Sequence, residues 1–326
     1  MSAELSEKVK PILSYRAVFY RPGIYRKARR EYDKSTIIGK TKDGHLFYTG
    51  FIPRIVAFCS ENKIPLSYHP PESILAPPDT WTLPENMDYR SFQKDLILKA
   101  IMKERGVLKA PTGTGKTFLG LSLICTIRKS LGEGVLWLCH TQDLLNQTAK
   151  EAKKFFGEKY VGMIGDGNCE TGRFLTVATQ QSFKKRVDAL SSQYDMVLVD
   201  EVHHISGFDT VYASILSKIM APIRLGLTAT LRTEQESLLA MEAFIGPVIG
   251  EYTINEGREE GYMAKPIIKL IKLTKNHSVR ALRKYDEVYE AGIVRNLERN
   301  RIIVNLIKEY SEEGKSSLIV VNKIVH

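Results

Sequence analysis

The central part of the chain alternates short apolar runs with longer amphipathic stretches. Between residues 87 and 255 the apolar runs are four to six residues long, and most precede a helical periodicity. Such runs are typical of strands buried on both faces, and their alternation with helices predicts a parallel sheet in an α/β domain. The predicted strands are 107–110, 135–139, 161–164, 174–178, 196–200 and 223–228, and the predicted helices are 116–130, 142–156, 180–190 and 233–245.

The pattern differs before and after this domain. Residues 13–20 and 36–40 predict strands, Asp43-Gly44 predicts a hairpin turn before residues 46–48, and residues 51–62 predict an amphipathic helix. Five of the 13 prolines lie between Pro70 and Pro84, which predicts a stiff irregular linker. We therefore expect a small α+β module over 1–78 and the main domain over 79–262. Beyond it, residues 267–272 and 317–326 predict strands that flank two helical stretches.

The charge of the chain favours an acidic polymer as partner. The formal net charge is +10 over 326 residues. Residues 16–42 hold nine basic and two acidic side chains, with tyrosine and phenylalanine between them, a composition that suits contact with a nucleic-acid backbone and stacking on bases. The alternative is a solvated basic face over core tyrosines. The candidate contacts in this module are Arg26, Lys27, Arg29 and Arg30.

Other classes of protein find little support in the composition. The four cysteines are dispersed without a Cys-x-x-Cys pair, which favours free thiols in a reducing compartment and no structural zinc. The N-terminus is polar and the apolar runs are far shorter than a membrane helix. We expect a cytoplasmic protein, in the host cytoplasm if a phage encodes it or nuclear if it is eukaryotic, with no membrane partner.

Residues 110–117 carry the most specific motif of the chain. The sequence Ala-Pro-Thr-Gly-Thr-Gly-Lys-Thr lies between a predicted strand and a predicted helix, as a phosphate-binding loop requires, with Ala110 where Gly is commoner. Gly113 and Gly115 let the backbone N–H groups turn inward, and the helix N-terminus favours negative charge. Lys116 then reaches the β- and γ-phosphates and Thr117 coordinates Mg²⁺. The candidate nucleotide-binding residues of the loop are Ala110, Pro111, Thr112, Gly113, Thr114, Gly115, Lys116 and Thr117.

A second motif places two carboxylates at the end of the strand predicted at 196–200. Asp200 and Glu201 are followed by Val-His-His. Open α/β sheets bind their ligands at the carboxyl ends of the strands. Asp200 is suited to hold Mg²⁺, and Glu201 is suited to activate the water that attacks the γ-phosphate. A third signal, Leu-Thr-Ala-Thr ending at Thr230, follows another apolar strand. We take Lys116, Asp200 and Glu201 as the catalytic candidates.

In this order the motifs resemble motifs I, II and III of superfamily 2 helicases, and the box at 200–203 is of the DExH type. Arg90-Ser-Phe-Gln93 resembles the motif whose Gln reads adenine, with Arg90 the weaker match. Within the superfamily the chain looks most similar to the branch of XPB and the phage UvsW-type helicases, on the basic N-terminal region and two less specific segments at 260–266 and 299–301.

The resemblance implies a RecA-like P-loop NTPase core with a parallel sheet, preceded by the small basic α+β module. It implies ATP and Mg²⁺ as cofactors, with His203, Thr228 and Thr230 coupling the nucleotide state to the nucleic-acid groove. It also implies nucleic-acid contacts by Thr141, Gly167, Thr179 and Gln180. At Thr141 the match is imperfect, because His140 and Gln142 stand where Pro and Arg are usual.

Residues 263–326 would be the start of a second RecA-like domain, an incomplete one, since motifs V and VI have no counterpart in the sequence. We therefore expect a fragment that is inactive alone. We expect the parent protein to be an ATP-dependent helicase or translocase, and the favoured activity is DNA unwinding or branch migration. The alternatives are a nucleotide- and DNA-binding module without motor activity and the motor subunit of a restriction or remodelling assembly. The expected partner is single-stranded, forked or branched DNA, and RNA is an alternative partner. We expect the protein to be a monomer.

Overall fold

The computed structural model describes residues 1–20, 29–36, 39–42, 44–70, 72–78, 81, 83–85, 87–132, 134–172, 174–273, 279 and 282–321, without the side chains of 17–20, 29–33 and 40. The chain divides into two compact units, Met1–Ala264 and Lys265–His326. None of the described helices has the length and apolar content that a membrane crossing requires.

The first unit is built on an eight-stranded sheet. The strand order is β12-β5-β11-β10-β6-β9-β7-β8, and every neighbouring pair is parallel except β7 with the edge strand β8. The six strands predicted between residues 107 and 228 are confirmed. The sheet strands are β5 Arg105–Lys109, β6 Val135–Cys139, β7 Val161–Gly165, β8 Asn168–Glu170, β9 Leu175–Thr179, β10 Met196–Val199, β11 Ile223–Thr228 and β12 Val248–Glu251.

Helices cover both faces of this sheet. Alternate residues of β6 enter different cores: Trp137 packs with α4 and α5 on one face, and Leu136 and Leu138 pack with α8 and α9 on the other. The predicted helix 180–190 is two short helices, because the chain turns at Lys185 and Arg186. The helices of this part are α3 Ser91–Lys103, α4 Lys116–Ile127, α5 Gln142–Phe156, α6 Gln180–Lys184, α7 Val187–Leu190, α8 Val211–Leu216, α9 Gln235–Phe244 and α10 Ile254–Glu259.

The N-terminal residues form a small α+β arrangement that is packed on α9. Its elements are α1 Ala3–Val9, the antiparallel pair of β1 Ser14–Tyr20 and β2 Arg29–Ser35, the hairpin of β3 Gly39–Thr41 and β4 Gly44–Leu46, and α2 Ile52–Glu61. Its core includes Leu239 and Ala243 of α9. Arg54 on α2 forms a double hydrogen bond with the buried carboxylate of Glu242, so apolar packing and an ion pair both hold it to the sheet unit.

The second unit differs from the prediction. Residues 267–272 and 317–321 are not in strands, and Ile267, Leu270 and Leu318 are more than four-fifths exposed; residues 322–326 of the second predicted strand lie outside the described residues. The strands are missing because a single apolar stretch without a hydrogen-bonding neighbour does not satisfy its own backbone groups. The predicted helical stretches are present as α11 Tyr285–Tyr289 and α12 Leu297–Glu312.

We predict that Gly50→Ala loosens the N-terminal module from α9. A Cβ at position 50 would lie 1.9 Å from the carbonyl oxygen of Glu242, an unyielding backbone atom. The variant should lose roughly 2 kcal/mol or more of stability, in the range of overpacking costs, and its N-terminal segment should be cleaved faster by protease. Gly39→Ala is the matched control, because nothing lies within 4 Å of its Cβ. Equal unfolding curves for the two variants would contradict the packing.

Candidate functional site

The loops at the carboxyl ends of the strands lie in the order of the strands. From β5 to β7 this edge carries the phosphate loop after β5, Thr228 at the end of β11, Asp200 after β10, His140 after β6, Thr179 at the end of β9, and the turn at 165–167 after β7. The predicted nucleotide groups therefore occupy one half of the edge and the predicted nucleic-acid contacts occupy the other half.

The phosphate loop has the backbone conformation that its glycines predict. Gly113 and Gly115 have φ of +86° and +83°, values that residues other than glycine rarely adopt. Gly115 precedes the first turn of α4, and no side chain caps this helix. Thr114 closes the turn through its hydroxyl, which donates to the Pro111 carbonyl at 2.6 Å. The first N–H groups of α4 are thus left for an anion.

Gln93 lies against this loop, and Arg90 contacts Gln93. The Gln93 amide nitrogen donates to the Thr114 carbonyl at 3.3 Å, and its oxygen accepts from the Arg90 N–H at 2.9 Å. The Arg90 guanidinium lies 4.8 Å from the ring centre of Tyr262, and its Nη1 is buried without a hydrogen-bond partner among the described residues. An acceptor on a ligand would satisfy that nitrogen, so both residues can line a base-binding position.

Asp200 is a buried carboxylate. It is 4% exposed, and its Oδ1 accepts the Glu201 N–H at 2.9 Å. Burial, and next the nearby negative charge of Glu201, raise the pKa of Asp200 to about 6. A carboxylate that is ionised at neutral pH at such a cost is suited to a divalent cation, which would offset the lost hydration.

Glu201 lies between Lys116 and His203. Its Oε1 is 3.6 Å from Lys116 Nζ, and its Oε2 is 3.2 Å from His203 Nδ1. Its backbone is left-handed, with φ of +48°. The predicted catalytic candidates Lys116, Asp200 and Glu201 are thus brought together.

His203 connects this cluster to the end of β11. The Thr228 hydroxyl donates to the Thr230 carbonyl at 2.6 Å, so it accepts the contact from His203 Nδ1 at 2.9 Å. The neutral ring therefore carries its proton on Nδ1. Burial, despite the opposing effect of Glu201, lowers the pKa of His203. The three predicted coupling residues form one hydrogen-bonded group.

The second histidine of the box makes a contact that sequence reasoning missed. The rings of His204 and His140 are 3.6 Å apart and inclined by 2°, and the His204 ring is 4.3 Å from that of His203. Gln180 Nε2 lies 2.9 Å from His140 Nδ1. Burial and the neighbouring His140 lower the pKa of His204 to about 4. The sequence signal was only the pair of adjacent histidines, which says nothing of a partner 64 residues away.

The predicted nucleic-acid contacts differ in exposure. Thr141 is exposed and caps α5 by accepting the Leu144 N–H, and Gly167 is an exposed turn residue with φ of +78°. Thr179 and Gln180 are buried, the first capping α6 and the second bonded to His140. The backbones of Arg29 and Arg30 begin β2, whereas Arg26 and Lys27 lie outside the described residues.

The site fits a nucleotide with a divalent metal. The open helix start and Lys116 suit phosphates, and a cleft of about 690 Å³ adjoins the loop at Pro111, Thr112 and Thr230. Within the described ranges no cluster of three or more His, Cys, Asp or Glu side chains would hold a metal by itself. In proteins Mg²⁺ is commonly held by one or two carboxylates together with substrate phosphates rather than by protein ligands alone.

Comparison with known proteins agrees with this geometry. Residues 86–233 match the family model described as type III restriction enzyme, res subunit. The chain is 26% identical over 205 residues to the DNA 3'-5' translocase XPB2 of Sulfurisphaera tokodaii, and 27% identical over 217 residues to the probable helicase D10 of Escherichia phage T5. These matches cover 62% and 66% of the chain but 44% of each relative, so the chain spans less than half of their length.

The fold is also that of a solved helicase. The UvsW helicase of bacteriophage T4 superposes with a TM-score of 0.60 at 18% identity, covering 76% of the chain and 93% of that structure. The chain is therefore similar to helicases of superfamily 2, in particular to those of the XPB and UvsW branch. The α/β class and the RecA-like core with its parallel sheet are confirmed, and nucleotide binding and a nucleic-acid partner are general to this family.

We predict that Asp200→Asn stabilises the free protein. The pKa of Asp200 is raised above that of the unfolded chain, so stability falls as pH rises from about 4 to about 6 and stays lower above that. At pH 7.5 the amide should add up to about 3 kcal/mol to the free energy of unfolding, measured by denaturant titration without nucleotide or metal. The gain should vanish near pH 4, and the exposed control Asp209→Asn should show none. A destabilised variant at pH 7.5 would contradict the assignment.

Proposed function

We propose that this chain is the ATP-binding part of a nucleic-acid-stimulated motor, a DNA helicase or translocase. The observation that carries the proposal is the division of one sheet edge. Lys116, Asp200 and Glu201 converge on its β5 half, and the loops after β6 and β7 present Thr141 and Gly167 on its other half.

ATP and Mg²⁺ are the cofactors that this site would hold. The phosphate-loop N–H groups and Lys116 would take the β- and γ-phosphates, while Thr117 and Asp200 would hold the metal, which neutralises developing phosphate charge when bound. Arg90 and Gln93 would line the base. Glu201 would position the attacking water, because one of its oxygens already lies within reach of Lys116.

DNA is the proposed partner. The support is the net charge of +10, the basic composition of residues 16–42 and a relative that is a DNA translocase by name. Contacts through loop backbones and a basic module read phosphate and sugar, which predicts little sequence preference. Single-stranded, forked or branched DNA is proposed, bound by a monomer inside the cell.

A second candidate is the motor subunit of a restriction assembly, favoured by the family model that covers residues 86–233. ATPase assays on the intact parent protein separate the candidates. A helicase or translocase responds to single-stranded DNA, duplex, four-way junction or RNA according to structure, whereas a restriction motor requires a specific recognition sequence. If the protein binds nucleotide and DNA but does not hydrolyse ATP under any of these conditions, the remaining alternative is a binding module without motor activity.

We predict opposite effects of two substitutions in the nucleotide site. Lys116→Ala should weaken binding of a fluorescent ATP analogue about 10- to 100-fold, the value of a charge-assisted hydrogen bond. Glu201→Gln should still bind ATP, while steady-state hydrolysis in the complete enzyme falls about 10²- to 10⁴-fold.

Lys103→Ala, at the exposed end of α3, is the control for lost charge. Unchanged ATP affinity in Lys116→Ala would argue against the phosphate loop. A loss of turnover smaller than about tenfold in Glu201→Gln would remove Glu201 as the residue that activates water.

We predict that the basic residues of the N-terminal module contribute phosphate contacts. Replacing Arg26, Lys27, Arg29 and Arg30 by Gln should flatten the slope of log K against log salt by about 0.9 for each lost duplex contact, with nucleotide affinity unchanged. Substitution is preferable to deletion because the module completes a core with α9. Lys8→Gln with Lys10→Gln is the control, since both lysines pair with glutamates. An equal slope in wild type and variant would mean that these basic residues are solvated and do not contact phosphates.

A further inference from the structure

We propose that His204 and His140 form a positioning contact through which the nucleotide site sets the nucleic-acid loop after β6. The inference rests on the proposed function and adds a second route of coupling to the one through Thr228 and Thr230. Neither histidine is placed in contact with nucleotide or nucleic acid.

A continuous series of short contacts crosses the sheet edge. Glu201 Oε2 lies 3.2 Å from His203 Nδ1, and the rings of His203 and His204 follow at 4.3 Å. The His204 ring then stacks on His140 at 3.6 Å, almost parallel. These contacts run from β10 toward β6, whereas the Thr228 contact of His203 runs to β11 on the opposite side.

Glu201, the first residue of this series, contacts both Lys116 and His203. Glu201 shares its oxygens between Lys116 at 3.6 Å and His203 at 3.2 Å. Phosphate groups bound in the loop would compete for the Lys116 ammonium, because three negative oxygens attract it more strongly than one carboxylate. Glu201 would then change its position relative to His203, so the occupancy of the phosphate loop biases the histidine rings.

His140, the last residue of this series, lies directly beside a candidate nucleic-acid contact. His140 directly precedes Thr141, the exposed cap of the 15-residue helix α5. Gln180, the first residue of α6, has its Nε2 at 2.9 Å from His140 Nδ1. Two flat rings in van der Waals contact do not shift independently, since an opened gap forfeits the dispersion contacts between them. A movement of His204 is therefore transmitted to the backbone at 140–141.

The test is the factor by which nucleotide changes nucleic-acid affinity. The affinity of a fluorescein-labelled single-stranded oligonucleotide is measured with and without the non-hydrolysable ATP analogue AMP-PNP and Mg²⁺, and the affinity of AMP-PNP is measured with and without the oligonucleotide. The two ratios must agree, because coupling is reciprocal. We expect a factor of about fivefold or more in the wild-type chain.

Three variants and one control separate stacking from general damage. His204→Ala and His140→Ala should each bring the factor below about twofold, while the separate affinities of nucleotide and oligonucleotide stay within about twofold of wild type. The double variant should be no worse than either single one, since both remove the same contact. His204→Phe keeps a flat ring and should retain most of the factor. The control is His69→Ala at an exposed position outside this series.

Two results would overturn the inference. One is a wild-type factor near one, and the other is an unchanged factor in both alanine variants. Either result leaves the proposed function intact if nucleotide and oligonucleotide still bind. Failure of the wild-type chain to bind AMP-PNP or the oligonucleotide at all contradicts the proposed function itself.

Discussion

The parallel pairing of β10 between β11 and β6 is the constraint on which the whole site depends. Leu198 pairs with Leu225 on one side and with Trp137 on the other, so the three strands end within two residues of one another. The Asp200 N–H then donates to the Leu138 carbonyl at 2.9 Å, and the Ala110 N–H donates to the Thr228 carbonyl at the same distance. Each loop is tied to a neighbouring strand before its functional side chains begin. Residues distant in the sequence are thereby brought together at this edge, where Lys116 contacts Glu201 and His203 contacts Thr228.

The site is arranged at a cost in stability. Asp200 is ionised while buried, Glu201 has a left-handed backbone, and two histidines are held neutral by burial. The buried charge of Asp200 disfavours the free protein and would be offset by a cation bound beside it, whereas the left-handed backbone of Glu201 is a strain that the surrounding structure maintains. A strand end that binds no ligand would gain nothing from these destabilising features. Their concentration at one edge is the physical argument that this edge evolved for ligands.

Sequence alone predicted those parts of the fold that depend on local pattern. The phosphate loop and the carboxylates were predictable because their chemistry lies within eight consecutive residues or at a strand end. The edge strand β8 was missed because its three residues are exposed, and β12 because its run is short and interrupted by Gly250. The stack of His204 on His140 and the pairing of Arg54 with Glu242 join residues 64 and 188 positions apart, which no local pattern encodes. Residues 267–272 had the strand pattern without a neighbouring strand.

The segment from Val202 to Phe208 connects features that the sequence presents as separate. It starts beside Glu201, carries both histidines, and ends at Phe208, whose ring packs on Tyr15 and Tyr48 of the N-terminal module at 5.9 and 5.7 Å. The start of α9 reinforces this link, since Ser237 donates to the Ser206 carbonyl and Glu236 accepts from the Tyr15 hydroxyl. The N-terminal module is therefore anchored to the segment that directly follows Asp200 and Glu201.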